Sequence, residues 1–193
     1  MRRVLMLCSS TDGQTRRICE RLSGQLRQAG DTVTLVMVDE AGQVAPAGHD
    51  LVVVGARIRY GHHDPRIVDW VTRHAGALNT MPSAFFSVNI VARKAEKNRA
   101  DTNPYVRKFL QRVPWRPTWV DVFAGKLNYP AYGPLDRRII RFIMWMTRGP
   151  TQPDAVVEFT DWQRVEDFGR ALGAPPLTQP AAAPPALRPA PLR

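Results

Sequence analysis

Short apolar runs alternate with amphipathic stretches along most of the chain, and this alternation constrains the fold more than any other feature. Residues 51–54 form a continuous Leu-Val-Val-Val run, which is typical of a strand buried on both faces. Residues 14–28 place Ile18, Leu22 and Leu26 at helical spacing. Alternating strands and helices predict an α/β fold, with a doubly wound parallel five-stranded sheet and helices on both of its faces.

The same patterning predicts the other elements. Further strands are expected at 4–8, 32–38, 84–90, 119–124 and 156–159. Further helices are expected from Asp64-Pro65 to about Leu78, over 103–113 and over 161–172, the last with Thr160 as N-cap and Gly173 just beyond its end. The last 20 residues contain seven Pro and six Ala and cannot bury enough apolar surface to fold. We therefore expect one domain over 1–173 and a disordered tail over 174–193.

The 193-residue chain has a net charge of +10, and most of that charge lies in one region. Residues 92–148 hold 13 Lys or Arg against 4 Asp or Glu. This excess predicts an anionic partner. A nucleic-acid-binding module is one alternative, but it rests on charge alone, so no nucleic acid is expected as a partner.

The cysteines and histidines of the chain limit the kinds of disulfide and metal site that it can form. Cys8 and Cys19 form no CxxC motif or Cys/His pair, which excludes a disulfide scaffold or a zinc module and suits a reducing compartment. His62 and His63 are adjacent but lack a third ligand at a useful spacing, so no metal site is expected. No stretch approaches the roughly 20 apolar residues of a transmembrane helix. The chain is therefore expected in the cytosol, or on a membrane that it does not cross.

A polar loop joins the first predicted strand to the first predicted helix. Its hydroxyls and glycine belong to the run Ser10, Thr11, Asp12, Gly13, Gln14 and Thr15. Backbone N–H groups in such a loop, reinforced by the helix macrodipole, can hold a phosphate dianion without a lysine. The alternative is that Thr11 or Asp12 only caps an ordinary helix. The loop matches neither GxGxxG nor GxxxxGK(S/T), which weakens the Rossmann and P-loop interpretations.

Two further loops should converge on the same edge of the sheet, because ligands of open α/β sheets lie beyond the carboxyl ends of the strands. One contains Arg59, Tyr60 and Gly61, and Tyr60 could stack on a flat ring. The other offers backbone groups to the polar edge of such a ring and consists of Ser87, Val88, Asn89, Ile90, Val91, Ala92 and Arg93. His62, His63 and Arg93 are candidates for acid–base chemistry or for holding an anion. A solvated histidine is the simpler alternative.

A basic insert is predicted at about 126–150. With Asp136 as N-cap, helical spacing places on one side Ile139, Ile140, Phe142, Ile143 and Met146. Arg137, Arg141 and Arg148 form a stripe opposite, with Arg138 and Trp145 at its edge. A basic amphipathic helix with a tryptophan fits a membrane interface, and arginines suit a substrate that bears carboxylates. The alternative is a helix whose apolar face packs into the core.

Several stretches of the sequence resemble known proteins. The polar loop at 10–15 resembles the FMN loop of flavodoxins. Three longer strings resemble the menaquinone-dependent protoporphyrinogen oxidase family of bacteria: GARIRYGHHDP at 55–65, MPSAFFSVNIVARKAEKNRADTNPYVRKFL at 81–110 and FTDW at 159–162. The resemblance covers roughly residues 3–172. The chain departs from the family pattern at Arg57 and in its longer Pro/Ala tail.

The resemblance implies a flavodoxin-like fold with a long-chain insert in its last strand, FMN as cofactor, and an enzyme that oxidises protoporphyrinogen IX to protoporphyrin IX in haem biosynthesis. Electrons would pass to menaquinone or ubiquinone at an anionic membrane surface, with the protein peripheral on the cytoplasmic face of the inner membrane. The resemblance also implies that residues 10–15 hold the FMN phosphate and that residues 87–93 meet its ring. The alternative is a flavodoxin-type electron carrier with no small-molecule substrate. The catalytic acid or base, the preferred quinone and a homo-oligomeric state stay open.

Overall fold

A five-stranded parallel sheet is the centre of the computed structural model, which describes residues 1–146 and 149–174. The strands of this sheet, together with the short β4 that pairs with the end of the central strand, are β1 (Arg3–Ser9), β2 (Thr32–Met37), β3 (Leu51–Arg59), β4 (His62–His63), β5 (Ser83–Val88) and β6 (Trp119–Phe123). The parallel order is β2-β1-β3-β5-β6, and β4 folds back antiparallel on the end of β3. The order in which successive strands are added to the sheet reverses between β1 and β3, which is the switch point of a doubly wound sheet. The predicted parallel five-stranded sheet is confirmed.

The central strands are buried on both faces, as the apolar run at 51–54 predicts. Val52 on β3 pairs with Leu5 on one side and with Ser83 on the other, and all three are fully buried. Such a continuous apolar sequence suits a parallel sheet because helices cover both of its faces.

Helices on both faces complete the core. They are α1 (Gln14–Gln28), α2 (Pro65–Arg73), α3 (Ala75–Leu78), α4 (Pro104–Arg112), α5 (Pro134–Met146) and α6 (Trp162–Gly173). On one face α1 and α6 pack with Phe86 and Phe123, and on the other α2, α3 and α4 pack with Phe85 and Trp115. Full burial of a large apolar side chain stabilises a fold by about 1.5–3 kcal/mol. Among the described helices, none is long and apolar enough to cross a bilayer.

Three predicted helix features are wrong. The second predicted helix is divided into α2 and α3 at His74, whose backbone leaves helical geometry with φ −102° and ψ 10°. Asp161 is the N-cap of α6, since its carboxylate accepts a hydrogen bond from a first-turn amide at 3.2 Å. Thr160 is not the cap because its hydroxyl donates instead to the Ala124 carbonyl at 2.8 Å. Gly173 is the last residue of α6 and not the residue beyond it.

The insert lies between β6 and α6. It consists of β7 (Lys126–Asn128), α5 and β8 (Val156–Glu158), and β7 and β8 pair antiparallel as a separate two-stranded sheet. The strand predicted at 156–159 therefore forms, but it pairs with β7 and not with the parallel sheet. Leu127, Tyr129 and Met144 are the buried residues of a small core in the insert. The predicted Pro/Ala tail lies outside the described residues from position 175 onward.

Candidate cofactor and substrate site

A cavity of about 240 Å³ opens at the carboxyl ends of β1, β3 and β5, next to the switch point of the sheet. Its walls come from the loop before α1, the β3–β4 hairpin, the loop after β5, and the insert. Most of the predicted cofactor-binding residues line it, namely Ser10, Thr11, Asp12, Gln14, Thr15, Arg59, Tyr60, Gly61, Val88, Asn89, Ile90 and Val91. Gly13, Ser87, Ala92 and Arg93 do not line it. The three predicted loops therefore do meet at one site.

The first turn of α1 faces this site. Gly13 occupies the N-cap position with φ +82°, a left-handed conformation that favours glycine, so the N-cap residue has no side chain to bond the turn. Ser10 Oγ accepts a hydrogen bond from the Arg16 amide of this turn at 3.4 Å. The alternative in which Thr11 or Asp12 caps α1 is therefore wrong. The N–H groups at the positive end of a helix form a binding site for phosphate.

Asp12 puts a carboxyl group on the wall of the cavity beside this turn. Burial raises the pKa of Asp12, although the positive charges of Arg59 and Arg57 act in the opposite direction. A bound phosphate would add like-charge repulsion and raise that pKa further. Anion binding at the loop therefore favours the protonated form of Asp12.

The side chain of Gln14 joins α1 to the insert. Its amide nitrogen donates to Glu158 Oε1 at 3.0 Å and to Thr160 Oγ1 at 2.8 Å, and its oxygen accepts from Arg17 at 3.1 Å. Arg17 also donates to Glu158 at 3.0 Å. Because its carboxamide makes these three hydrogen bonds, Gln14 positions the insert against the start of α1.

A tight turn at Tyr60 and Gly61 presents two polar side chains to α5. Both residues are left-handed, with φ +50° and +78°, as a two-residue type I′ hairpin turn requires. Arg59 donates to Asp136 Oδ2 at 2.5 Å, and the Tyr60 hydroxyl donates to Oδ1 of the same carboxylate. Asp136 is therefore not the N-cap of α5, because the helix begins two residues earlier at Pro134 and the hairpin takes both carboxylate oxygens.

The loop after β5 is held in shape from behind. Asn89 Oδ1 accepts from the Ala92 amide at 3.1 Å, and Asn89 Nδ2 donates to Ser87 Oγ at 3.1 Å. Arg93 donates to the Ile90 carbonyl at 3.0 Å, and burial lowers its pKa. Ser87, Ala92 and Arg93 therefore support the loop, and the residues between Ser87 and Ala92 form the wall.

The two histidines lie behind the wall. His63 Nε2 is 2.9 Å from Ser87 Oγ, and the ring packs edge-on against Phe85 and Phe109. Burial, with a smaller contribution from His62, lowers the pKa of His63 to about 3, so the ring is neutral near pH 7. His62 is exposed on β4. Neither histidine lines the cavity, so the geometry gives no support to an acid–base role for them there.

Helix α5 covers the cavity with one side and turns apolar side chains outward on the other. Ile139, Ile140 and Ile143 line the cavity. The prediction that Phe142 and Met146 share this side is wrong, since they are 58% and 59% exposed. The inward side is centred between Ile140 and Ile143. At about 100° per residue, Phe142 lies about 130° from this centre and points outward, and Met146 lies about 90° from it on the flank of the helix.

Arg137 does not belong to an outward arginine stripe. Its guanidinium donates to the carbonyls of Tyr129 and Tyr132, at 3.1 and 3.3 Å. These bonds hold the start of α5 against the chain that leads into it. Arg148, the third residue of the predicted stripe, lies outside the described residues.

The outward side of α5 is both apolar and basic. Leu135, Phe142, Trp145 and Met146 are 69%, 58%, 70% and 59% exposed. Arg138 and Arg141 are exposed among them. These six residues are called the outer face of α5 below.

Comparisons with known proteins identify the family. A model of the flavodoxin domain matches residues 5–154. Protoporphyrinogen IX dehydrogenase (quinone) of Escherichia coli strain K12 is 44% identical over 170 residues, covering 88% of this chain and 94% of that protein. The chain belongs to the protoporphyrinogen IX dehydrogenase family. A relative of the same name from Leishmania major is 43% identical over 179 residues, covering 91% of this chain and 77% of that protein.

Solved flavodoxin structures are similar to this family member at low sequence identity. A mutant of flavodoxin from Pseudomonas aeruginosa has a TM-score of 0.48 at 12% identity, covering 89% of this chain and 99% of that chain. Two-electron reduced flavodoxin from Megasphaera elsdenii has a TM-score of 0.47 at 14% identity, covering 62% of this chain and 84% of that chain.

A flavodoxin domain indicates FMN as the cofactor, and the cavity fits it. The left-handed Gly13 and the N–H groups of the first turn of α1 suit the phosphate. The backbone at 88–91 suits the polar edge of the flavin ring, and Tyr60 borders the same space. An ionised Asp12 would repel a phosphate dianion at this loop, and burial raises the pKa of Asp12, which favours its neutral form.

Several residues line the cavity that the sequence analysis does not predict as cofactor-binding residues. They are Arg57, Ile58, Tyr105, Gly125, Lys126, Leu127, Tyr132, Asp136, Ile139, Ile140 and Ile143. Residues 125–127 follow the end of β6, so the rule that ligands lie beyond the carboxyl ends of strands could have found them. Tyr105 lies on α4, and only tertiary packing brings it to the cavity. Arg57, the departure from the family pattern, donates to the buried Asp64 at 3.2 Å.

Proposed function

We propose that this protein is an FMN-dependent dehydrogenase that oxidises protoporphyrinogen IX to protoporphyrin IX in haem biosynthesis and passes the electrons to menaquinone or ubiquinone. The observation that carries the proposal is the 44% identity to the E. coli protoporphyrinogen IX dehydrogenase (quinone) over 94% of that protein. The cavity supports it, because an anion-binding helix start and an apolar cover meet at one place.

Each wall of the cavity has its own task in this proposal. FMN, when bound, supplies the electron-transfer chemistry that links a porphyrinogen to a quinone. The first turn of α1 binds the phosphate, and the backbone at 88–91 orients the ring. Ile139, Ile140 and Ile143 exclude water from the cavity, which strengthens the electrostatic interactions inside it.

Formation of protoporphyrin IX without oxygen tests the proposal. Purified protein loaded with FMN should convert protoporphyrinogen IX to fluorescent porphyrin when a menaquinone or ubiquinone analogue is present. One quinone should be reduced for each pair of electrons removed. Protein stripped of FMN is the matched control. If no porphyrin forms while the flavin exchanges electrons rapidly with a protein partner, the chain is an electron carrier and the proposal is wrong.

We also infer that the protein works as a peripheral membrane protein on the anionic cytoplasmic face of the inner membrane. The support is the outer face of α5, where large apolar side chains surround Arg138 and Arg141. Aromatic and aliphatic side chains beside basic ones suit the boundary between lipid headgroups and acyl chains. Each arginine near anionic lipid contributes about 1 kcal/mol. A membrane position is apt because a porphyrinogen and a long-chain quinone both partition into bilayers.

A further inference from the structure

Arg59 and Tyr60 bind one carboxylate, that of Asp136, at the wall of the cavity. Each donates to a different carboxylate oxygen. A guanidinium beside a hydroxyl is a donor pair that suits carboxylates in general. The Arg59 side chain is 38% exposed and Tyr60 is 60% exposed, so a ligand can reach both donors from solvent.

The hairpin that carries these donors is conformationally unusual. Tyr60 has φ +50°, a left-handed backbone conformation that residues other than Gly, Asn and Asp rarely adopt. Strain of this kind concentrates at functional sites, where the surrounding structure maintains it. The turn places Tyr60 next to Arg59, whose guanidinium lies 5.3 Å from the centre of the tyrosine ring.

Arg59 differs from the neighbouring Arg57 in how its partner is held. Arg57 donates to Asp64, whose side chain is 1% exposed and also accepts from Ser9 Oγ at 3.0 Å. That carboxylate is part of the core and cannot leave without cost. The partner of Arg59 lies on α5, 77 residues away in sequence, on the helix that covers the cavity.

We propose that Arg59 and Tyr60 form a subsite for a carboxylate of the substrate, and that Asp136 occupies this subsite as an internal stand-in until the substrate arrives. The inference rests on the proposed function, since protoporphyrinogen IX is an apolar macrocycle with two propionate carboxylates. The phosphate of FMN is the other anion that could reach Arg59, and the experiment below separates the two.

Replacement of the Asp136 carboxylate by a substrate carboxylate would also affect α5, the helix that covers the cavity. Asp136 joins the first turn of α5 to the hairpin, and the same helix places Ile139, Ile140 and Ile143 over the cavity. A substrate carboxylate that displaces Asp136 therefore breaks this link between α5 and the hairpin as the substrate enters. Asp136 lowers the apparent affinity for substrate, because only the fraction of molecules in which it has left can bind.

Binding of protoporphyrin IX and of its dimethyl ester to the FMN-loaded protein tests the proposal, because the ester keeps the ring and loses the carboxylates. The wild-type protein should bind the acid more tightly than the ester. Arg59→Gln should weaken binding of the acid by about tenfold or more, and Tyr60→Phe by less, with little change for the ester. Asp136→Asn should strengthen binding of the acid several-fold. Arg107→Gln, which removes an exposed charge on α4, is the matched control and should leave the ratio of the affinity for the acid to the affinity for the ester unchanged.

The outcomes separate this proposal from the proposed function. If Arg59→Gln changes the binding of acid and ester equally, the carboxylate subsite is wrong, while the proposed function stands. If the wild-type protein binds neither form, both are wrong. A final experiment measures the affinity of the Arg59→Gln variant for FMN and for riboflavin by titration. A loss confined to FMN, with the preference for the acid intact, would assign Arg59 to the phosphate and overturn the proposal.

Discussion

The imidazole of His63 and the hydroxyl of Ser87 lie 2.9 Å apart, directly behind the loop that follows β5. Ser87 accepts from Asn89 Nδ2 at 3.1 Å, and Asn89 Oδ1 accepts from the Ala92 amide. A neutral His63 that accepts at Nε2 lets Ser87 donate to the histidine while it accepts from Asn89. Three polar side chains thus fix the backbone of one cavity wall from behind.

Acidification should destabilise the fold through His63. Because its pKa is lowered from 6.5 to about 3, the unfolded chain takes up a proton below pH 6.5 that the native protein does not. Stability conferred by the neutral ring is therefore present above pH 6.5 and is lost as the pH falls, by about 2 kcal/mol at pH 5. His63→Phe should remove this part of the pH dependence. Urea unfolding at pH 7 and pH 5 measures it.

The exposed neighbour supplies the control for that measurement. His62→Gln should keep the wild-type loss of stability between the two pH values. A His63→Phe variant that loses as much stability as the wild type would show that the buried imidazole does not cause the acid sensitivity.

Gly13→Ala should weaken binding of FMN more than binding of riboflavin. A Cβ at Gly13 would meet no atom within 4 Å, so the effect comes from its φ of +82°. A left-handed alanine costs about 1–2 kcal/mol, which the loop relieves by moving the first turn of α1 away from the phosphate. We expect a loss of about fivefold or more in FMN affinity, measured by flavin fluorescence. Gly24→Ala, with equally open surroundings within α1, should change neither affinity. An equal loss for both flavins would contradict the phosphate assignment.

Asp12→Asn should tighten binding of FMN at neutral pH. The ionised carboxylate repels the phosphate, and removing one nearby like charge favours the dianion by about 1 kcal/mol, or about fivefold in Kd. Burial raises the pKa of Asp12, so the wild-type side chain takes up its own proton on acidification and the advantage of the variant should shrink. Titrations with FMN at pH 5 and pH 8 measure the ratio of the Kd of the wild-type protein to the Kd of the variant. The same ratio for riboflavin should not change with pH. A ratio that is the same at both pH values would count against the electrostatic explanation.

The outer face of α5 should carry the affinity for anionic vesicles. Arg138→Gln combined with Arg141→Gln should weaken binding about tenfold or more at low salt, since each arginine contributes about 1 kcal/mol. Phe142→Ser combined with Trp145→Ser should weaken it at both low and high salt, because apolar insertion is not screened. Co-sedimentation with phosphatidylglycerol vesicles measures both effects.

A control with the same change of charge completes the vesicle experiment. Arg107→Gln combined with Arg112→Gln removes two exposed charges from α4 and should leave binding near the wild-type value. If the two pairs of arginine substitutions weaken binding equally, the net charge of the protein and not the outer face of α5 holds it on the membrane.

The sheet, the helices and the place of the loop before α1 can be predicted because their signals are local. The run at 51–54 and the stripe Ile18, Leu22 and Leu26 each report burial within one element, and β3 and α1 form accordingly. The place of the loop at 10–15 then follows, because a strand end and a helix start fix it at the edge of the sheet.

Contacts between residues far apart in sequence explain what could not be predicted. By local rules Asp136 is a helix cap, yet Arg59 and Tyr60 on a distant hairpin take both of its oxygens. Arg137 has the pattern of a solvated cation, yet its guanidinium bonds two carbonyls in the preceding turn. The side of α5 that faces inward depends on how the helix packs against the two-stranded sheet of β7 and β8, and no periodicity within 134–146 predicts that packing.

Anaerobic absorbance of the FMN-loaded protein tests the central claim most directly, namely that electrons from protoporphyrinogen IX leave through a flavin held in this cavity. Addition of one protoporphyrinogen IX for every three flavins, without quinone, should bleach the absorbance of the oxidised flavin and produce porphyrin, because the six electrons removed reduce three flavins by two electrons each. Subsequent addition of a quinone should restore the flavin absorbance. A flavin that stays oxidised in the presence of excess protoporphyrinogen IX would contradict the account.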